Sequence, residues 1–157
     1  MSDYHTILEI LKNRHETLGC AESCTGGHIA ASITQIPGSS AVFRGGIVAY
    51  HADIKQNLLN VHPEILSHFQ IVSRETAVAM AAGTAHQLST DWAIATTGYA
   101  GPTGGDNRYP VGTVCFGLYA PKHQIICGIA HHFEGSRQEV ILKATDFALD
   151  LLLAHLI

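Results

Sequence analysis

The sequence predicts a three-layer α/β/α domain on a mixed, mainly parallel sheet that ends in an antiparallel hairpin. Three observations carry this. Short apolar strand patterns alternate with helical patterns along most of the chain, as in strands joined by crossover helices. The last two strand patterns are separated only by Pro121-Lys122-His123, a link too short for a crossover, so they pair antiparallel. Ser136-Arg137-Gln138-Glu139 then has capping-box spacing and opens a final helix.

In chain order, residues 3–15 predict a first helix with Ile7, Leu8 and Leu11 on one side and Lys12, Arg14 and Glu16 toward solvent. A short strand over 17–21 brings Ser23 to the sheet edge, and 25–33 predicts a tightly packed helix through Ile29, Ala30 and Ile33, closed by Pro37-Gly38. Gly45 to Tyr50 reads as a buried strand. Asp53 predicts an N-cap, with Gln56 three residues on, for a short helix carrying Lys55, Leu58 and Leu59. Pro63 starts another segment from its first turn. Ser73 caps a long helix to about Leu88, in which Ala77, Met80, Ala81 and Thr84 recur at helical spacing and imply close packing. Trp92 to Thr97 is a third strand, followed by a glycine-rich loop over 98–107. Strands over 111–119 and 124–133 form the hairpin. The last helix carries Val140, Ala144, Phe147, Ala148, Leu151 and Leu152 as a stripe.

The 157 residues fit one domain spanning 1–157, enough to bury roughly two-thirds of the surface the unfolded chain exposes. A content of 46% hydrophobic and 14% charged residues, without a run of ~18 apolar residues, excludes a membrane-spanning helix. The start of the chain lacks the basic region, apolar run and cleavage site of a secretory signal, which places the protein in the cytoplasm. Net charge is -4, and no basic run interleaved with aromatics suggests nucleic acid as a partner. Cys20, Cys24, Cys115 and Cys127 contain no C-x-x-C pair and read as reduced thiols. Eleven histidines invite a metal, but there is no H-E-x-x-H, and His131 and His132 would point to opposite faces of a strand. No metal is expected.

Chemistry concentrates in Ala21-Glu22-Ser23-Cys24-Thr25-Gly26-Gly27, a hydroxyl nucleophile candidate before two glycines where a strand gives way to a helix. Backbone N–H groups of Cys24, Thr25, Gly26 and Gly27 could serve an anion or a developing oxyanion. Alone, the segment reads first as a helix cap at Ser23 or Thr25 with glycines that relieve crowding. Serine needs a base. Tyr50, at the end of the second strand, and Lys55, in the helix after it, could both project over the edge where Ser23 emerges. Lysine acts as a base only when burial or a helix dipole lowers its pKa, and a solvated helix lysine is the alternative. Gly101-Pro102-Thr103-Gly104-Gly105 follows a strand, as an anion-binding loop would, or forms an ordinary turn. It matches neither the P-loop nor G-x-G-x-x-G. Arg137 could pair with a phosphate or lie on the surface.

Three segments in this order resemble the CinA C-terminal-domain family, the nicotinamide-nucleotide amidases, over almost the whole chain: Ala21–Gly27; Pro37–Phe43 running into Gly45–Tyr50 with Lys55; and Gly98–Gly105 with Pro110–Val114. The resemblance implies hydrolysis of the carboxamide of nicotinamide mononucleotide to nicotinate mononucleotide and ammonia. It implies a Ser-Tyr-Lys group at Ser23, Tyr50 and Lys55, with Lys55 accepting the serine proton directly or through Tyr50. Amides near Thr25 to Gly27 would hold the oxyanion, and Gly101, Thr103, Gly104, Gly105 and Arg137 the nucleotide phosphate. Neither metal nor cofactor enters. A homodimer is expected, and the chain looks like the stand-alone form of a family whose larger members carry an additional amino-terminal domain. It departs from the family pattern at 106–109, where Tyr109 replaces a basic residue before Pro110, and at His28 and His51. Two other readings stay open: a catalytically inactive nucleotide-binding paralogue, and an amidase acting on another pyridine nucleotide.

Overall fold

The computed structural model describes residues 4–157. Five strands, β1 (Leu18–Glu22), β2 (Phe43–Val48), β3 (Trp92–Gly98), β4 (Thr113–Ala120) and β5 (Ile125–His132), form one sheet in the order β2-β1-β3-β4-β5. β1 pairs parallel with β2 and β3, whereas β3–β4 and β4–β5 are antiparallel, so β4 alone runs against the other four.

Side chains alternate across the sheet, and the two faces collect different partners. Trp92 and Ile94 join Leu18 and Cys20 in a core under α1 (Tyr4–Arg14), α2 (His28–Thr34) and α6 (Arg137–Leu156). Ala93, Ala95 and Ala21 join Leu59, Met80 and Ala81 on the other face, under α3 (Ala52–Leu59), α4 (Pro63–Phe69) and α5 (Arg74–Leu88). The small residues of that second face bring helix and sheet close. A Cβ on Gly117 of β4 would lie 2.1 Å from the Ala77 carbonyl oxygen of α5.

Caps explain most boundaries. Ser73 accepts from the Thr76 amide, Pro63 occupies the first turn of α4, and Ser136 and Glu139 complete a reciprocal capping box. Three expectations are corrected. α2 starts at His28 rather than Thr25, because Gly26 (φ 57°) and Gly27 (φ 108°) hold a left-handed turn that delays the helix. Asp53 is not an N-cap: His51 takes that position in extended conformation, and its Nδ1 lies 2.7 Å from the Asp53 carboxylate, inside the first turn. β2 ends at Val48, leaving Ala49 and Tyr50 beyond the strand.

Candidate active site

Ser23, Tyr50 and Lys55 follow the carboxyl ends of β1 and β2, and Thr103 lies in the loop after β3, where ligands gather in open α/β sheets, while Arg137 opens α6 after β5. Period-two alternation at the end of β1 sends successive side chains to opposite faces. Glu22 points to the α2 side, and Ser23 reaches the α3 side, where Lys55 waits. Lys55 and Leu59, one turn apart, form the inner face of α3, and both are fully buried.

The Lys55 Nζ lies 3.0 Å from Ser23 Oγ, 2.7 Å from the Ala49 carbonyl and 3.2 Å from the Tyr50 carbonyl. These two carbonyls can turn toward it because they lie past the end of β2. Among the described residues no carboxylate hydrogen-bonds to it. Loss of hydration therefore governs its protonation, and burial lowers its pKa to about 8. Its N–H groups donate to the two carbonyls and to Ser23 Oγ, and the Ser23 hydroxyl donates in turn to the Tyr50 carbonyl at 3.4 Å. On losing one proton the amine can keep both carbonyl bonds and turn its lone pair to the hydroxyl.

Ser23 opens onto a cleft of about 260 Å³ lined by Cys24, Tyr50, Ile71, Val72, Tyr99, Thr103 and Arg137, among others. Cys24 is buried, which pushes its thiol up to about 12 and keeps it protonated at neutral pH. The Tyr50 phenol is exposed and accepts from Arg137 Nη2 at 3.0 Å, while Arg137 Nη1 donates to the Gly101 carbonyl at 2.7 Å. Tyr50 thus meets the lysine and serine through its backbone carbonyl and faces the rim with its side chain. A proton relay through the phenol has no contact to run along.

Other sequence candidates are dispersed. Thr25 is fully buried and bonds to Glu22 and to Thr96. The Gly26 amide donates to the Ser23 carbonyl, and Gly27 is the N-cap of α2. Thr103 lines the cleft, whereas Gly104 and Gly105 lie outside its lining. The Tyr99 hydroxyl donates to Asp106 at 2.7 Å and pins this loop. Tyr109 packs beside Val72, Ala77 and Cys115, with the Arg108 guanidinium 5.1 Å over its ring. His28 Nδ1 lies 2.6 Å from the Thr25 carbonyl, while His131 stacks on Phe147 and His132 faces the Val111 carbonyl. Among the described residues no group of three or more His, Cys, Asp or Glu side chains converges on a metal position.

Sequence reasoning gives no role to Glu22, behind the cleft, or to Ile71 and Val72, which line it. Glu22 carries no periodicity signal, yet its carboxylate accepts from the Ile29 amide at 2.8 Å and the Ala30 amide at 3.1 Å. Ile71 and Val72 are distant from the glycine motifs and reach the cleft only because the Ile71 carbonyl accepts from Thr97 of β3.

The site is thus a buried lysine against a serine at the strand ends of an α/β domain. The chain belongs to the CinA C-terminal domain family, whose model matches residues 3–156. It is 44% identical over 151 residues to a CinA-like protein of Myxococcus xanthus, covering 96% of this chain and 36% of that protein. A CinA-like protein of Thermosynechococcus vestitus is 40% identical over 153 residues, with the same coverages of 96% and 36%. The chain spans about a third of the length of these curated relatives. Among solved structures, a competence or damage-inducible protein from Enterobacter asburiae superposes with TM-score 0.93 at 34% identity, over 98% of this chain and 96% of the other. A competence/damage inducible protein CihA from Agrobacterium tumefaciens gives 0.87 at 37%, over 96% and 92%. No helix among the described residues is long and apolar enough to cross a membrane.

Proposed function

We propose that this domain hydrolyses the carboxamide of nicotinamide mononucleotide, with Ser23 as nucleophile and Lys55 as base. One observation carries the reading: a fully buried amine, with two backbone carbonyls on its N–H groups, lies 3.0 Å from a hydroxyl at a cleft. Amide hydrolysis by a serine hydroxyl needs such a pair, because serine is a weak nucleophile without a base beside it.

Lys55 Nζ accepts the Ser23 proton as Oγ bonds to the carboxamide carbon, and the carbonyl oxygen takes the negative charge. The amide of Cys24, directly after the nucleophile, is the donor we assign to that oxyanion. The amides of Ile29 and Ala30 are unavailable because Glu22 holds them. Lys55 then returns the proton to the departing nitrogen, the C–N bond breaks, and ammonia leaves with an ester on Ser23. Water, deprotonated by Lys55, cleaves the ester and releases the acid. Ile71, Val72 and Tyr99 supply apolar surface for a pyridine ring, and Arg137 sits where a phosphate would meet a cation.

The test is to incubate purified protein with nicotinamide mononucleotide and measure ammonia and acid together. Both should appear in equal amounts, and Ser23→Ala and Lys55→Ala should abolish them. Full turnover by Ser23→Ala overturns the mechanism. Tight nucleotide binding without ammonia identifies a binding paralogue, and ammonia from another pyridine nucleotide alone changes the substrate.

A further inference from the structure

We infer that Glu22 is a positioning residue for the nucleophile: its buried carboxylate clamps the 23–27 turn at both ends and so fixes Ser23 against Lys55. The inference rests on Ser23 being the nucleophile.

Glu22 is 1% exposed, and among the described residues no cation hydrogen-bonds to it. Its oxygens accept from Thr25 Oγ1 at 2.7 Å, the Ile29 amide at 2.8 Å and the Ala30 amide at 3.1 Å. Thr25 Oγ1 also meets Thr96 Oγ1 of β3 at 2.8 Å. The contacts therefore span the whole turn. Glu22 precedes Ser23, Thr25 follows it, and Ile29 and Ala30 lie in the first turn of α2. The backbone completes the clamp, because the Ser23 amide donates to the Thr96 carbonyl at 3.1 Å.

Stability alone does not require this device. The two longest helices, α6 and α5, are capped by serines at the N-cap itself, whereas the N-cap of α2 is Gly27 with no side-chain bond. The helix borrows its cap from the residue before the nucleophile. Burying a carboxylate is costly unless hydrogen bonds meet its charge, and here two amides at a positive helix end and a hydroxyl do so.

The test compares Glu22→Gln, Thr25→Val and Thr25→Ser in the full chain, by turnover of nicotinamide mononucleotide and by the rate at which an uncharged fluorophosphonate labels Ser23. Glu22→Gln presents an NH₂ where the Ala30 amide needs an acceptor. It should lower kcat about 10- to 100-fold with KM within about threefold, as expected of a displaced reacting atom. Labelling should slow by a similar factor. Thr25→Val should act in the same direction, and Thr25→Ser should recover most of that loss, which decides the matter if Glu22→Gln does not fold. Variants that lose thermal stability but keep kcat and labelling within twofold of wild type overturn the inference. If wild type is labelled at Ser23 yet releases no ammonia, the substrate assignment fails while the labelling comparison still decides the role of Glu22. If neither occurs, Ser23 is not a nucleophile and both proposals fall.

Discussion

At the scale of the residue, the chemistry turns on whether one amine can be neutral. Burial holds the Lys55 pKa near 8, so the protonated form dominates at lower pH and the base appears as pH rises. kcat/KM should therefore climb about tenfold per pH unit below pH 7 and level off above about 8.5, and an inflection below pH 6 would remove Lys55 as the base. The same shift has a stability consequence. The unfolded chain binds a proton at Lys55 up to about pH 10.4, the folded chain only to about 8, so unfolding takes up a proton between those values and stability rises with pH there. Wild type should gain on the order of 3 kcal/mol relative to Lys55→Met between pH 7 and pH 11. Urea titrations of both proteins at the two pH values measure it. Arg137 links the Gly101 carbonyl to the Tyr50 phenol at the rim, away from the reacting bond. Arg137→Ala should raise KM about tenfold with kcat changed less, by steady-state kinetics.

At the scale of the element, α3 and α5 support the cleft from behind its lining. In α3 the i, i+4 pair Lys55 and Leu59 shares the buried face, which places the amine against Ser23 rather than in solvent. At the start of α5, Ser73 Oγ accepts from the Thr76 amide at 3.0 Å, and both hydroxyls donate to the Gln70 carbonyl, at 3.0 and 2.7 Å. That fixes Ile71 and Val72 beside the nucleophile. Ser73→Ala should cost about 1–2 kcal/mol and lower Tm by a few degrees, with a rise in KM as the wall loosens. A thermal melt together with KM checks it, and an unchanged KM would separate the cap from the cleft. The cap was legible in sequence, since Ser73 stands before an alanine-rich helical pattern. Its bearing on the cleft was not, because Ile71 and Thr97 meet only when β3 and the 70–72 segment are side by side.

At the scale of the whole molecule, the distance between helices and sheet sets the site. Close approach of α5 to β4 leaves no room at Gly117, where a Cβ would fall 2.1 Å from the Ala77 oxygen. Gly117→Ala should destabilise by about 3 kcal/mol or more, because backbone on both sides must shift. Denaturant unfolding measures this. The other face is filled by large side chains, Trp92, Phe116, Leu11 and Ile29 among them. The fold thus has one tight layer that holds Lys55 and one thick layer that holds α2.

The sequence by itself determined the element order, the antiparallel end of the sheet and the caps at Ser73 and Ser136, because these follow from local periodicity and from side chains that bond within four residues of themselves. It also marked Ser23 and Lys55 as residues worth bringing together. Only the tertiary structure decided that Lys55 is buried, that Tyr50 meets the pair through its carbonyl, that α2 waits until His28, and that Glu22 spans the turn. Each of those depends on where a strand stops relative to its neighbour. Burial and carbonyl direction at a strand end are set by the surrounding layers, and local propensity carries no information about them.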